Sequence, residues 1–103
     1  MYSIKYLPSY NDDLDAILFH LAIDQKSQRA AENLLEALDK AVQGLCEFPR
    51  RYRRYLPIYT LDTEYHVMGI KGNAVFYTID EDEQIVEIHR ILNGRCDFNQ
   101  WLT

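Results

Sequence analysis

Cysteine is scarce: two residues, Cys46 and Cys96, in 103. A framework of stapled loops needs more, so both are expected as reduced thiols in a cytosolic protein. They also lack, with the three histidines, the close pairings of zinc ligands. No apolar run approaches the roughly eighteen residues of a membrane span. The opening Met1-Tyr-Ser-Ile-Lys5 has no apolar stretch of secretory length, so a soluble, unprocessed, cytoplasmic chain is expected. Glycine occurs four times and never as a phosphate-cradling loop. The acidic stretch Asp80 to Glu83 lacks the glycine and terminal glutamate of a calcium loop. With no serine or cysteine nucleophile signature either, neither cofactor nor metal is expected.

Positive charge is also in deficit, eleven Lys and Arg against sixteen Asp and Glu, for a net charge of -5. That balance opposes broad attraction to phosphate backbones, which scales with the cations presented. The distribution is uneven: four of the eleven basic residues sit in Arg50-Arg-Tyr-Arg-Arg-Tyr55, and acidic residues crowd Asp12 to Asp15, Glu32 to Asp39 and Asp80 to Glu83.

What is present is periodicity. Three apolar runs, Tyr65 to Ile70, Ala74 to Ile79 and Ile85 to Leu92, are separated by Lys71-Gly-Asn73 and Asp80-Glu-Asp-Glu83, which predicts an antiparallel meander. Ala74 to Ile79 is apolar on both faces and is expected at the centre. Tyr2 to Leu7 alternates as a half-buried strand that Pro8 stops. Ser9 or Asn11 can cap a following helix with Asp12, Asp13 and Asp15 in its first turns, and Leu14, Ile17, Leu18 and Leu21 form its apolar stripe. After a polar break at Asp24 to Ser27, with Ser27 as cap, Ala31, Leu34, Leu35, Leu38, Ala41, Val42 and Leu45 repeat at helical spacing up to Phe48-Pro49. Residues 49–64 read mostly as loop, although Leu56 to Leu61 can pair as an edge segment. Phe98 to Leu102 can form a short terminal helix. One domain of this length can bury about 60 to 70 percent of its unfolded surface. The expected fold is α+β, a two-layer sandwich in the order β-α-α-β-β-β, its antiparallel sheet covered on one face by a helical hairpin.

Few residues carry chemistry. Arg50, Arg51, Arg53 and Arg54, interleaved with tyrosines, can bind phosphate or stack on bases; a solvated loop near the negative end of the second helix is the plainer reading. On the last strand Val86, Ile88, Arg90 and Leu92 are expected on one face and Glu87, His89 and Asn93 on the other. Arg90 then sits on the apolar side, where it either pairs with Asp97 or a helix carboxylate or grips an anionic group; both readings stand. Arg95, past Gly94, is expected to be exposed and free to engage a partner. His66 and His89 are the candidate proton donor and acceptor, but with no carboxylate or nucleophile beside them in the sequence, packing roles are favoured. His20 reads as structural.

In order and spacing the chain resembles the RelE/ParE superfamily, the small toxins of bacterial type II toxin–antitoxin modules. The resemblance runs through Ile4-Lys-Tyr-Leu-Pro8, Asp13-Leu-Asp15, Leu45-Cys-Glu-Phe-Pro49, Tyr65-His-Val67, Val75-Phe-Tyr77 and Val86-Glu-Ile-His-Arg-Ile-Leu-Asn-Gly-Arg-Cys-Asp97. It implies one of two activities. Ribosome-dependent members cut messenger RNA with arginines on the middle strands and a tyrosine or histidine near the C-terminus; here those positions are His66, Ala74 and Phe98, and only Arg95 clearly remains. The ending Arg90 to Asp97 is more similar to the ParE branch, whose members poison DNA gyrase by protein contact, although that branch usually has histidine where this chain has Asn93. The resemblance therefore implies a ParE-like toxin with a cognate antitoxin as partner and gyrase as target. A ribosome-dependent endoribonuclease and a non-toxic relative that keeps only antitoxin binding are the alternatives. Partner contacts are expected from Arg90, Arg95 and the four loop arginines, with no membrane and no sequence-specific nucleic acid involved. If the chain is catalytic, the candidates are His66, His89 and Arg95.

Overall fold

The computed structural model describes residues 1–56, 63–94, 98 and 102. Strand β1, Ser3–Tyr6, leads into helix α1, Pro8–Phe19, which runs on through a π-helical turn, His20–Asp24. Helix α2, Gln28–Glu47, returns antiparallel to it and a 3-10 turn, Pro49–Arg51, follows. Strands β2, His66–Ile70, β3, Asn73–Asp80, and β4, Ile85–Asn93, complete the sheet in the order β1-β4-β3-β2. The expected layering holds, with β3 central. One pairing differs from a wholly antiparallel sheet: β1 runs parallel to β4, Ser3 to Tyr6 against Ile85 to Ile88, because the helical hairpin carries the chain back to start β2 in the same direction as β1. Leu56 is exposed, and the rest of the segment through Leu61 lies outside the described residues, as do Trp101 and most of the predicted terminal helix.

Local chemistry explains the boundaries. Pro8 opens α1 instead of merely ending β1: it occupies the first helical turn, where its missing N–H costs nothing, and neither Ser9 nor Asn11 caps the helix. Asp12, Asp13 and Asp15 accordingly fall beyond the first turn. Ser27 does cap α2, its Oγ accepting the Ala30 N–H at 3.2 Å. Lys71 and Gly72 both adopt positive φ, 51° and 80°, which suits a two-residue hairpin turn and which glycine adopts without penalty.

Two cores result. Between helices and sheet lie Tyr10, Leu34, Leu38, Val42 and Leu45 against Met68, Val75, Tyr77, Val86, Ile88 and Ile91. On the opposite face Phe76, Tyr65, Val67, Ala74 and Leu92 pack together, covered by Tyr55, Phe98 and Leu102. The expected alternation on β4 is broken by a bulge. Tyr77 pairs with Ile88 and Phe76 with Arg90, so His89 is an extra residue and the parity of every later side chain reverses. Val86, Ile88 and Ile91 face the helices; Leu92 faces the other way.

Candidate functional site

The two histidines end up on opposite faces of the sheet. His66 lies opposite Tyr77 in the β2–β3 ladder and its ring stacks on the Tyr77 ring, with centroids 5.3 Å apart. Its Nδ1–H donates to the Tyr52 carbonyl at 3.0 Å, since a carbonyl can only accept, and the side chain is only 5% exposed. Tyr77 in turn donates its hydroxyl to the Pro49 carbonyl at 2.7 Å, and burial pushes its phenol up to about 12. These groups bind the segment after α2 to the sheet.

His89 projects on the outer face. Its ring meets Tyr65 edge-on at 5.2 Å, and Nε2 lies 2.9 Å from Thr78 Oγ1. Burial lowers its pKa below the ordinary 6.5, with Glu87 opposing the shift more weakly, so the ring is neutral at pH 7. Because the unfolded chain takes up a proton near 6.5 that native His89 resists, stability falls as pH drops from 6.5 toward the lowered value. Replacing His89 by Gln removes that increment. Urea unfolding at about pH 7.5 and about pH 5 is therefore expected to show a shallower acid loss in His89→Gln; equal losses would contradict the assignment.

β4 runs on past the end of β1, and α1 closes the strand edge left open. β1 pairs with β4 only as far as Ile88. Beyond that point the Leu7 N–H donates to the Ile88 carbonyl at 3.0 Å, Ser9 Oγ donates to the His89 carbonyl at 2.7 Å, and the Ile91 N–H donates to Asp13 Oδ2 at 3.2 Å. Asp13 also takes Arg90 as a two-pronged partner, Nε to Oδ2 at 2.6 Å and Nη2 to Oδ1 at 2.7 Å. Of the partners open to Arg90, the structure shows a helix carboxylate, Asp13; Asp97 lies outside the described residues. Asp13 was visible as one of an acidic trio and in the Asp13-Leu-Asp15 motif; neither pointed to Arg90.

The loop arginines are spread along one end and edge of the sheet. Arg50 pairs with Glu81 of the β3–β4 turn, which raises its pKa, and Arg54 pairs with Glu64 at 2.8 Å. Arg51 lies over the Tyr52 ring at 5.8 Å, and Arg53 is exposed. Residues 53–55 run beside β2: Arg54 bridges to His66, the Val67 N–H donates to the Arg53 carbonyl and the Tyr55 N–H to the Tyr65 carbonyl. Charged residues at that edge discourage pairing with a further strand. Arg95, Cys96 and Asp97 lie outside the described residues. Among the described residues no group of three His, Cys, Asp or Glu is placed to hold a metal, and no helix is long and apolar enough to cross a membrane.

A concavity of about 650 Å³ opens between the tip of the helical hairpin and the β2–β3 turn. Ile17, Leu21 and Leu34 give it an apolar wall, while Gln25, Asn33 and Asn73 supply amides. Phe19 and Ile23 stand exposed on the same tip. Such a mixture suits a segment of another chain better than a reacting small molecule.

Solved structures share this architecture. The fold matches a chain of a chromosomal ParDE system from P. aeruginosa with a TM-score of 0.67 at 16% identity, covering 90% of this chain and 96% of that one. A metal-bound toxin from Helicobacter pylori gives 0.63 at 18%, covering 90% and 94%. The intact E. coli RelBE toxin–antitoxin complex gives 0.63 at 11%, covering 93% and 100%. No curated protein matches the chain. At these identities the structures establish a common fold. The family model of the ParE toxin of the type II toxin–antitoxin system, parDE, matches residues 4–98. That span takes in both helices and all four strands, and the protein therefore belongs to the ParE toxin family within the RelE/ParE superfamily.

Proposed function

We propose that this toxin acts in the cytoplasm by gripping DNA gyrase through protein contact, and that a cognate antitoxin neutralises it. One observation carries the reading: among the described residues the groups a nuclease would need do not converge. His66 and His89 are separated by the sheet, and Arg90 is engaged by Asp13 in a largely buried pair. Proton transfer at a phosphodiester needs an acid and a base within hydrogen-bond reach of one point, with cations around it. Arg90 serves here to hold α1 to β4, leaving Arg50, Arg51, Arg53, Arg54 and Arg95 as the proposed partner contacts. The cleft between hairpin and sheet supports antitoxin binding, since an amphipathic helix or extended segment lays apolar side chains into such a groove.

Inducible expression in a bacterium, with and without the neighbouring reading frame, tests the proposal. Growth arrest with altered plasmid supercoiling, intact transcripts and rescue by the neighbour is expected. Cut transcripts with unchanged supercoiling would transfer the function to the ribosome-dependent nuclease reading, and harmless expression would leave antitoxin binding alone.

A further inference from the structure

Helix α2 ends in an exposed aromatic ring beside a run of cations. Phe48 is 65% exposed, although it lies between the buried Leu45 and Pro49. Pro49 draws Phe48 out of helical geometry, φ -132° and ψ 76°, and the 3-10 turn then delivers Arg50 and Arg51 to the same side. The Tyr2 N–H donates to the Cys46 carbonyl at 2.8 Å, which sets Tyr2 beside the last turn of the helix. Tyr2, Glu47, Phe48, Pro49, Arg50 and Arg51 together line a recess of about 460 Å³.

The recess has a built element. A methyl group on Gly44 would overlap the Arg51 guanidinium, so the lack of a side chain one turn before the helix end lets Arg51 lie along α2. Among the described residues Arg50 pairs with Glu81, and both partners are more than half exposed. An ion pair so exposed to water contributes little, so Arg50 can exchange Glu81 for an incoming carboxylate at little cost. A polyphosphate partner fits poorly, because it brings no apolar side chain to seat on Phe48 and Pro49, which line the same recess.

We propose that this recess docks an acidic segment of a protein partner, with one aliphatic or aromatic side chain seated on Phe48 and Pro49 and its flanking carboxylates taken by Arg50 and Arg51. It rests on the protein-binding reading above and names the chemistry of one contact, apart from the cleft at the other end of α2. A guanidinium fork fits a carboxylate two-pronged, and a central apolar anchor ringed by charge is the usual anatomy of a small docking site.

The test is an amide chemical-shift titration of the full chain with a synthetic peptide of about a dozen residues, one leucine set among aspartates and glutamates. Shifts are expected at Tyr2 and Phe48 to Arg51. Binding should weaken by about tenfold or more when the peptide leucine becomes serine or when Arg50→Glu and Arg51→Glu are combined. Gly44→Ala, which displaces Arg51 while favouring the helix, should weaken binding several-fold in a chain at least as stable as the parent. No shifts at these residues, shifts centred elsewhere, or equal binding of a single-stranded oligonucleotide would overturn the proposal. Gyrase supercoiling assayed on the same preparation separates the failures: inhibition retained without peptide binding removes the recess alone, and absence of inhibition removes the gyrase reading.

Discussion

Truncating Phe76 to alanine is expected to destabilise the protein by about 4 kcal/mol, a large fraction of the roughly 5 to 15 kcal/mol that holds a domain of this size. Phe76 is 0% exposed and sits at the centre of the outer core. Its ring meets Tyr55 at 5.2 Å, Phe98 at 5.0 Å and Tyr65 at 6.3 Å, all near perpendicular, the geometry in which a ring edge faces a neighbour's electron-rich face. Alanine there removes the shared partner of three rings and leaves a cavity that rigid strands cannot close. Phe76→Leu, which keeps most of the volume, should cost about 1 to 2 kcal/mol. Urea unfolding checks both. A loss below about 1 kcal/mol for Phe76→Ala would mean that the outer face is not a packed core.

Removing Asp13 is the second large effect, expected at about 3 kcal/mol for Asp13→Ala. The side chains of Arg90 and Asp13 are 20% and 15% exposed, so the loss leaves a cation largely out of water, with a discount for the solvent that remains. The Ile91 N–H loses its acceptor at the same time, which costs a further desolvated group. The combination Asp13→Asn with Arg90→Met discards both charges and keeps an oxygen for Ile91, so it should be less destabilising than Asp13→Ala. Hydrogen exchange at the Ile91 amide is expected to accelerate first in Asp13→Ala, because α1 is what closes the β4 edge there. Unchanged exchange and a midpoint shift of only a few degrees would contradict that role.

These two sites divide what could be read from the sequence from what could not. The hairpin of helices, the three-strand meander and the central place of β3 follow from periods of 3.6 and 2, and the structure reproduces them. That β3 is apolar on both faces was legible; that Tyr55 joins Phe98 and Leu102 in covering the second face was not, because a loop residue gives no periodic signal. The bulge at His89 defeated the alternation rule, which assumes one partner per residue, and so misplaced Leu92. The Arg90–Asp13 pair joins residues 77 apart, and only the closing of an edge beyond the reach of β1 selects Asp13 from its acidic neighbours. The candidate histidines were found by residue type, yet which face each occupies depends on register: His66 on the helix side locked to Tyr52, His89 outside beside Thr78. The exposure of Phe48 gave no warning either, since a residue before proline at a helix end is as readily buried as bare.

The proposed mode of action is occupancy of a partner without turnover of a substrate. The direct measurement is inhibition of purified gyrase by the purified toxin across several gyrase concentrations, with a translating extract run in parallel. Occupancy predicts that the toxin needed for half-inhibition rises in proportion to gyrase once binding is tight, that the antitoxin reverses it, and that messages stay whole. Messages cut repeatedly by substoichiometric toxin, with supercoiling untouched, would contradict the account.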